Sequence, residues 1–119
     1  MTNPREAAVL TRALLRSAIS LGLGRRQLAK VICVSETTIG RFARGERYLR
    51  PESKQWELAL MLVGVYQALF PLVGGDESQM RDWMVGHNKA LNRAPKESIV
   101  TIEGLARTLS YLHGMSSLL

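Results

Sequence analysis

Arg26-Gln27-Leu28-Ala29-Lys30-Val31-Ile32-Cys33-Val34-Ser35-Glu36-Thr37-Thr38-Ile39-Gly40-Arg41-Phe42-Ala43-Arg44-Gly45 is the stretch from which the rest of the chain can be read. Leu28 and Ile32 lie one helical turn apart, and Ile39 and Phe42 lie three residues apart, so each pair shares a helix face. Val34 falls between the pairs. The spacing predicts two helices, over 25–32 and 36–44, crossed about a small apolar wedge, with Ala29 small where the second must come close. Ser35 can cap the second helix and Gly45 can end it in a left-handed turn. The wedge leaves Glu36, Thr37, Gly40, Arg41 and Arg44 on the outer face.

A helix held in this way fits the major groove of duplex DNA, with its first residues at the base edges. Thr37 and Thr38 can donate, accept or touch a thymine methyl; Glu36 can accept from a cytosine amino group; Arg41 can fork onto guanine or reach a phosphate. Ser35, Arg25, Arg26, Lys30, Arg44 and Arg47 are expected as phosphate clamps, which position the protein without reading sequence. Charge agrees with a polyanion partner. Residues 1–55 hold eleven Lys/Arg and four Asp/Glu, a net +7, while 56–119 hold five and six, a net −1. All of the chain's excess charge of +6 therefore sits in the half that carries the motif.

Outward from the motif the chain reads as all-α, in two parts, 1–50 and 51–119. No sustained alternation or hairpin signal is found. Asn3-Pro4-Arg5-Glu6 combines a cap, a first-turn proline and a Glu, and predicts a helix over 4–20. Pro51 can open a helix that runs to Phe70 and stops before Pro71. Asp76-Glu77-Ser78-Gln79 predicts a helix over 77–85, Pro95 opens a short turn, and Thr101 caps a last helix over 102–113 that Gly114 stops. Trp56, Leu60, Val63 and Gln67 run along one face of the fourth helix and are expected to form a homodimer seam.

Several functions are excluded or disfavoured. With 119 residues and one cysteine, the chain is neither a large multidomain enzyme nor a disulfide-stapled module. Cys33 and the two histidines are too few for a structural zinc site, Cys33 has no acid–base partner nearby, and no paired carboxylates or phosphate loop are present. No enzyme activity and no cofactor are expected. The start, Met1 to Glu6, lacks the basic-then-apolar order of a secretory signal, so a cytoplasmic location is expected. The apolar part of the fourth helix, Leu58 to Phe70, spans 13 residues. That is roughly 20 Å of helix against a hydrocarbon core of roughly 30 Å, so no membrane partner is expected.

The Leu28-Ala29 pair, Val34-Ser35 after the turn, Thr38-Ile39 and Arg44-Gly45 resemble the Xre (Cro/repressor-like) helix-turn-helix family, over about residues 10–50. Cys33 stands where that family usually has Gly, and Ala43 where it usually has an acid. A non-glycine residue in a left-handed turn costs about 1 kcal/mol, so a slightly reshaped turn is expected. Farther on, Trp83, Asn88, Leu91 and Pro95, then Glu103-Gly104 opening the last helix, resemble the C-terminal toxin-binding domain of Xre/MbcA/ParS-type antitoxins. His87 stands where that family often has Pro, and Asn92-Arg93 where glycine is common.

The resemblance implies an antitoxin that binds a RES-domain toxin, which consumes or transfers from NAD, covers its active-site entrance, and represses its own promoter by binding double-stranded operator DNA. The toxin-facing candidates it implies are Asn88, Leu91, Asn92, Arg93 and Pro95, with Leu112, Met115, Leu118 and Leu119 of the final helix and tail. Two other readings stay open on the residues: a stand-alone phage-type repressor whose second half only dimerises, and an interaction adaptor with a degenerate motif. The first predicts no tight protein partner; the second predicts no specific DNA site.

Overall fold

Caps written into the sequence set most of the element boundaries. A computed structural model describes residues 4–118 and folds them into seven helices, with no strand among the described residues. They are α1 (Pro4–Ser20), α2 (Arg25–Ile32), α3 (Glu36–Ala43), α4 (Lys54–Leu72), α5 (Glu77–Val85), α6 (Pro95–Ser98) and α7 (Ile102–Ser116). Ser35 accepts from the Thr38 N–H, Ser53 from Trp56, Asp76 from Gln79 and Thr101 from Gly104, so four helices begin with a side chain satisfying an otherwise orphan donor. The expected cap at Asn3 lies outside the described residues.

Three boundaries differ from expectation. Pro51 does not open α4: Glu52 follows it in the left-handed region (φ 62°), and Ser53 caps the helix at Lys54. α4 does not stop before Pro71 but carries it inside its last turn and ends at Leu72. A proline there removes one donor close to the helix end, where little ladder remains to break. Gly114 does not end α7, which runs on to Ser116, so Met115 sits on a helix and not in a tail. The turn at Cys33 is not reshaped either. Cys33 takes up the left-handed conformation itself (φ 59°, ψ 49°), and its N–H closes on the Ala29 carbonyl.

α4 is the central element, packed against α1, α2 and α7. Leu14, Ile32, Leu58, Leu62, Val65, Leu69, Met80 and Leu105 are fully buried in one continuous core. Each such side chain contributes about 1.5–3 kcal/mol by leaving water. The division expected at 50/51 falls between α3 and α4, and the core runs straight across it. Polar ties reinforce that continuity. Thr11 donates to the Ala7 carbonyl (2.7 Å) and accepts from the Leu49 N–H (2.9 Å), pinning the strap after α3 onto α1. Lys96 Nζ donates to the Gly22 carbonyl (3.2 Å), and Gln27 Nε2 donates to the Lys96 carbonyl (2.6 Å), docking α6 on the α1–α2 turn.

The corner between α6 and α7 requires glycine. A Cβ on Gly104 would overlap the Ser98 carbonyl, and the Gly104 carbonyl accepts from both Ser98 Oγ (3.2 Å) and Thr108 Oγ1 (2.7 Å). Among the described residues no single helix is long and apolar enough to cross a membrane.

Candidate functional site

The crossing of α2 and α3 is built as the spacing requires. Leu28, Ala29, Ile32, Ile39 and Phe42 are buried in it, and Val34 packs half-buried against them. An eight-residue helix would be marginal alone, so this packing and its cap are what present α3. Glu36, Thr37 and Arg41 are exposed, and Thr37 and Arg41, four apart, share one edge of the helix. Arg25, Arg26, Lys30, Arg44 and Arg47 are exposed around it. Gly40, expected on the outer face, is buried, because the guanidiniums of Arg44 and Arg25 close over it. A Cβ there would lie 3.2 Å and 3.3 Å from their Nη1 atoms.

Thr38 needs correcting as a base-reading candidate. It is only 9% exposed, and its hydroxyl faces back to Ser35 Oγ at 2.9 Å. Ser35 remains at the surface, but its oxygen is engaged in the cap, 3.1 Å from the Thr38 nitrogen. Arg44 is also engaged: Nε and Nη2 reach Glu46 Oε1 and Oε2 at 2.9 and 3.2 Å. The hydrogen bonds from Arg44 hold the Glu46 carboxyl below its usual pKa, with the fields of Arg44 and Arg41 adding to them against a desolvation cost. The Arg44 guanidinium is raised correspondingly, first by the bond to Glu46 and then by its charge. Both side chains are exposed, so the pair guides orientation more than it holds the fold.

In the second half the structure separates architecture from surface. Leu91, Pro95 and Leu112 are buried, so these three toxin-facing candidates cannot present side chains as placed. Leu112 belongs to the main core, packed with the rest of α7's inner face. Asn88 is half-buried and turned inward: Oδ1 accepts from the Leu91 N–H (3.2 Å) while its own N–H donates to the Arg93 carbonyl (3.1 Å). Asn92 follows with φ 58°, a left-handed position that asparagine tolerates in place of the glycine common in the resembling family. Asn92 and Arg93 are exposed, as are Met115 and Leu118, the latter at 80%. Leu119 lies outside the described residues.

On α4, Leu60 and Gln67 are exposed and Val63 half-buried, and all three line one shallow groove with Val9 and Ala13 of α1. Trp56 is half-buried against the core and does not line that groove. The sequence reading missed Val9, because its contribution depends on how α1 packs beside α4. It also missed Lys96 and Gln27, whose importance comes from contacts across about seventy positions. No group of three or more metal-ligating side chains occurs among the described residues.

Comparison with known families finds two matches. The antitoxin Xre-like helix-turn-helix domain matches residues 3–64. The antitoxin Xre/MbcA/ParS C-terminal toxin-binding domain matches residues 68–117. Neither is a catalytic family. No curated protein matches the chain.

Proposed function

Because the chain belongs to the Xre-like antitoxins, joining their helix-turn-helix domain to a toxin-binding domain, we propose that it neutralises a NAD-consuming RES-domain toxin by covering its active-site entrance. We further propose that it represses its own operon, bound as a homodimer to double-stranded operator DNA. The observation that carries the reading is the pairing of two surfaces on one core. One is the exposed Thr37–Arg41 edge, with Arg25, Arg26 and Arg47 exposed in the same domain; the other is the exposed surface of the toxin-binding domain, with Asn92 on the 86–95 loop and Met115 and Leu118 at the end of α7. Glu36, Thr37 and Arg41 take the base-reading role, with Arg25, Arg26, Lys30, Arg44 and Arg47 on phosphates. Leu60, Val63 and Gln67, with Val9 beside them, supply the dimer contact. The stand-alone repressor is the weaker reading, since it leaves the match over 68–117 without a role.

Co-expression with the product of the neighbouring reading frame tests this. That product alone should arrest growth and deplete NAD, and this chain should restore both and co-purify with it. Arrest with NAD unchanged would reject the RES assignment alone. Absence of any complex would reject neutralisation by binding.

A further inference from the structure

A cleft of about 850 Å³ opens between α2 and the corner formed by the end of α5, the 86–95 loop and α6. Arg26 and Lys30 stand on its α2 wall, and Arg93 and Lys96 stand on the opposite wall. Glu97 is the one acidic side chain lining it, so the cleft carries a net +3. The two walls belong to different halves of the sequence, and the second half is negative overall. Its cations on this side are thus gathered at the seam, facing those of the first half.

We propose that this cleft is a phosphate-binding track for duplex DNA, so that the strand flanking the recognition helix is gripped by Arg93 and Lys96 of the toxin-binding domain as well as by α2. The proposal rests on the DNA-binding reading above and extends it. Continuity favours a DNA strand over an acidic protein segment. Arg25 of α2 reaches the recognition helix at Gly40, beside Arg44, while Arg26 and Lys30, one turn apart on the same helix, line the cleft. α2 thus carries cations toward both places, as a linear polyanion passing from one to the other requires. The aliphatic floor, Val85, Ala94 and Val100, suits the apolar faces of deoxyribose. The seam is also rigid. Gln27 and Lys96 bond across it to backbone carbonyls, so the two walls are held together.

The test measures binding of the full chain to a duplex of random sequence across a salt titration. Each phosphate neutralised contributes about 0.9 to the slope of log affinity against log salt. Arg93→Gln should therefore lower the slope by about 1, and Arg26→Gln with Lys30→Gln by about 2. Between about 50 and 200 mM salt, Arg93→Gln should spare about threefold of the affinity loss. Arg93→Lys, which keeps the charge, should retain the slope, separating charge from any structural effect. Arg12→Gln on α1, which does not line the cleft, is the control for net charge, and should leave the slope unchanged with the oligomeric state checked alongside. If Arg25→Gln and Arg47→Gln weaken binding while Arg93→Gln leaves the slope intact, the track is overturned and the cleft is free for an acidic protein segment. An equal change in Arg12→Gln also overturns it. If Arg25→Gln and Arg47→Gln have no effect either, the DNA-binding reading itself fails.

Discussion

The α2–α3 corner and the 86–104 corner are both short helical turns carrying recognisable motif residues, yet they spend those residues differently. At α2–α3 the motif divides cleanly: Leu28, Ile32, Ile39 and Phe42 go inside, and Thr37 and Arg41 go out. At 86–104 most of the motif goes inside. Asn88 closes the loop on itself, Leu91 and Pro95 are buried, and Gly104 lets α6 and α7 touch. A family signature in a binding domain can thus mark the scaffold of a loop, with the surface left to less distinctive neighbours such as Asn92 and Arg93. The reason is local. A helix buries one face and displays another by its own period, whereas a loop has no such period and needs specific residues to hold its shape.

The largest effect expected from this contrast is at Gly104. Its Cβ has no space against backbone, so Gly104→Ala should cost about 3 kcal/mol as α6 is pushed from α7. Thermal or denaturant unfolding checks this, and an unchanged midpoint would break the claim that the second corner is scaffold. Next comes Arg41→Ala, which should weaken specific operator binding about 10- to 100-fold with unfolding unchanged. Thr37 and Thr38, adjacent in sequence, sharpen the division within α3. Thr38→Ala should lose about 1 kcal/mol of stability by orphaning its pairing with Ser35, with base preference kept. Thr37→Val should alter base preference in a selection assay and leave stability intact.

A smaller, opposite effect is expected at Cys33→Gly. Relieving the left-handed strain should add up to about 1 kcal/mol, offset in part by the freer unfolded chain. The smallest concerns Glu46. Its lowered pKa means that the ion pair with Arg44 is complete above the ordinary carboxylate range and is lost as pH falls through the lowered value. Glu46→Gln should mimic that loss at neutral pH, releasing Arg44 to phosphate. DNA binding should then tighten slightly and its salt dependence steepen, as measured by a titration at two ionic strengths.

Much of this molecule was legible before its structure. The all-α class, the α2–α3 crossing, the caps at Ser35, Asp76 and Thr101 and the basic first half follow from interactions within a turn or two of chain. The errors fell where a local signal was outvoted. Pro51 and Gly114 carry helix-boundary propensity, yet Ser53 supplied a better cap, and α7 runs past its glycine to Ser116, with Ser116 Oγ donating to the Leu112 carbonyl. Thr38 has the chemistry to read a base, and only the direction of its hydroxyl removes it from that face.

Hydrogen bonds and periodicity that close within four residues are encoded by neighbours, so the amino-acid order alone settled the helices and the exposed edge of α3. Contacts such as Thr11 with Leu49, Lys96 with Gly22 and Gly104 with Ser98 carry no mark in their surroundings. They exist because burying one shared core brings distant segments together. The same burial joined the two halves at a cleft that neither half contains alone.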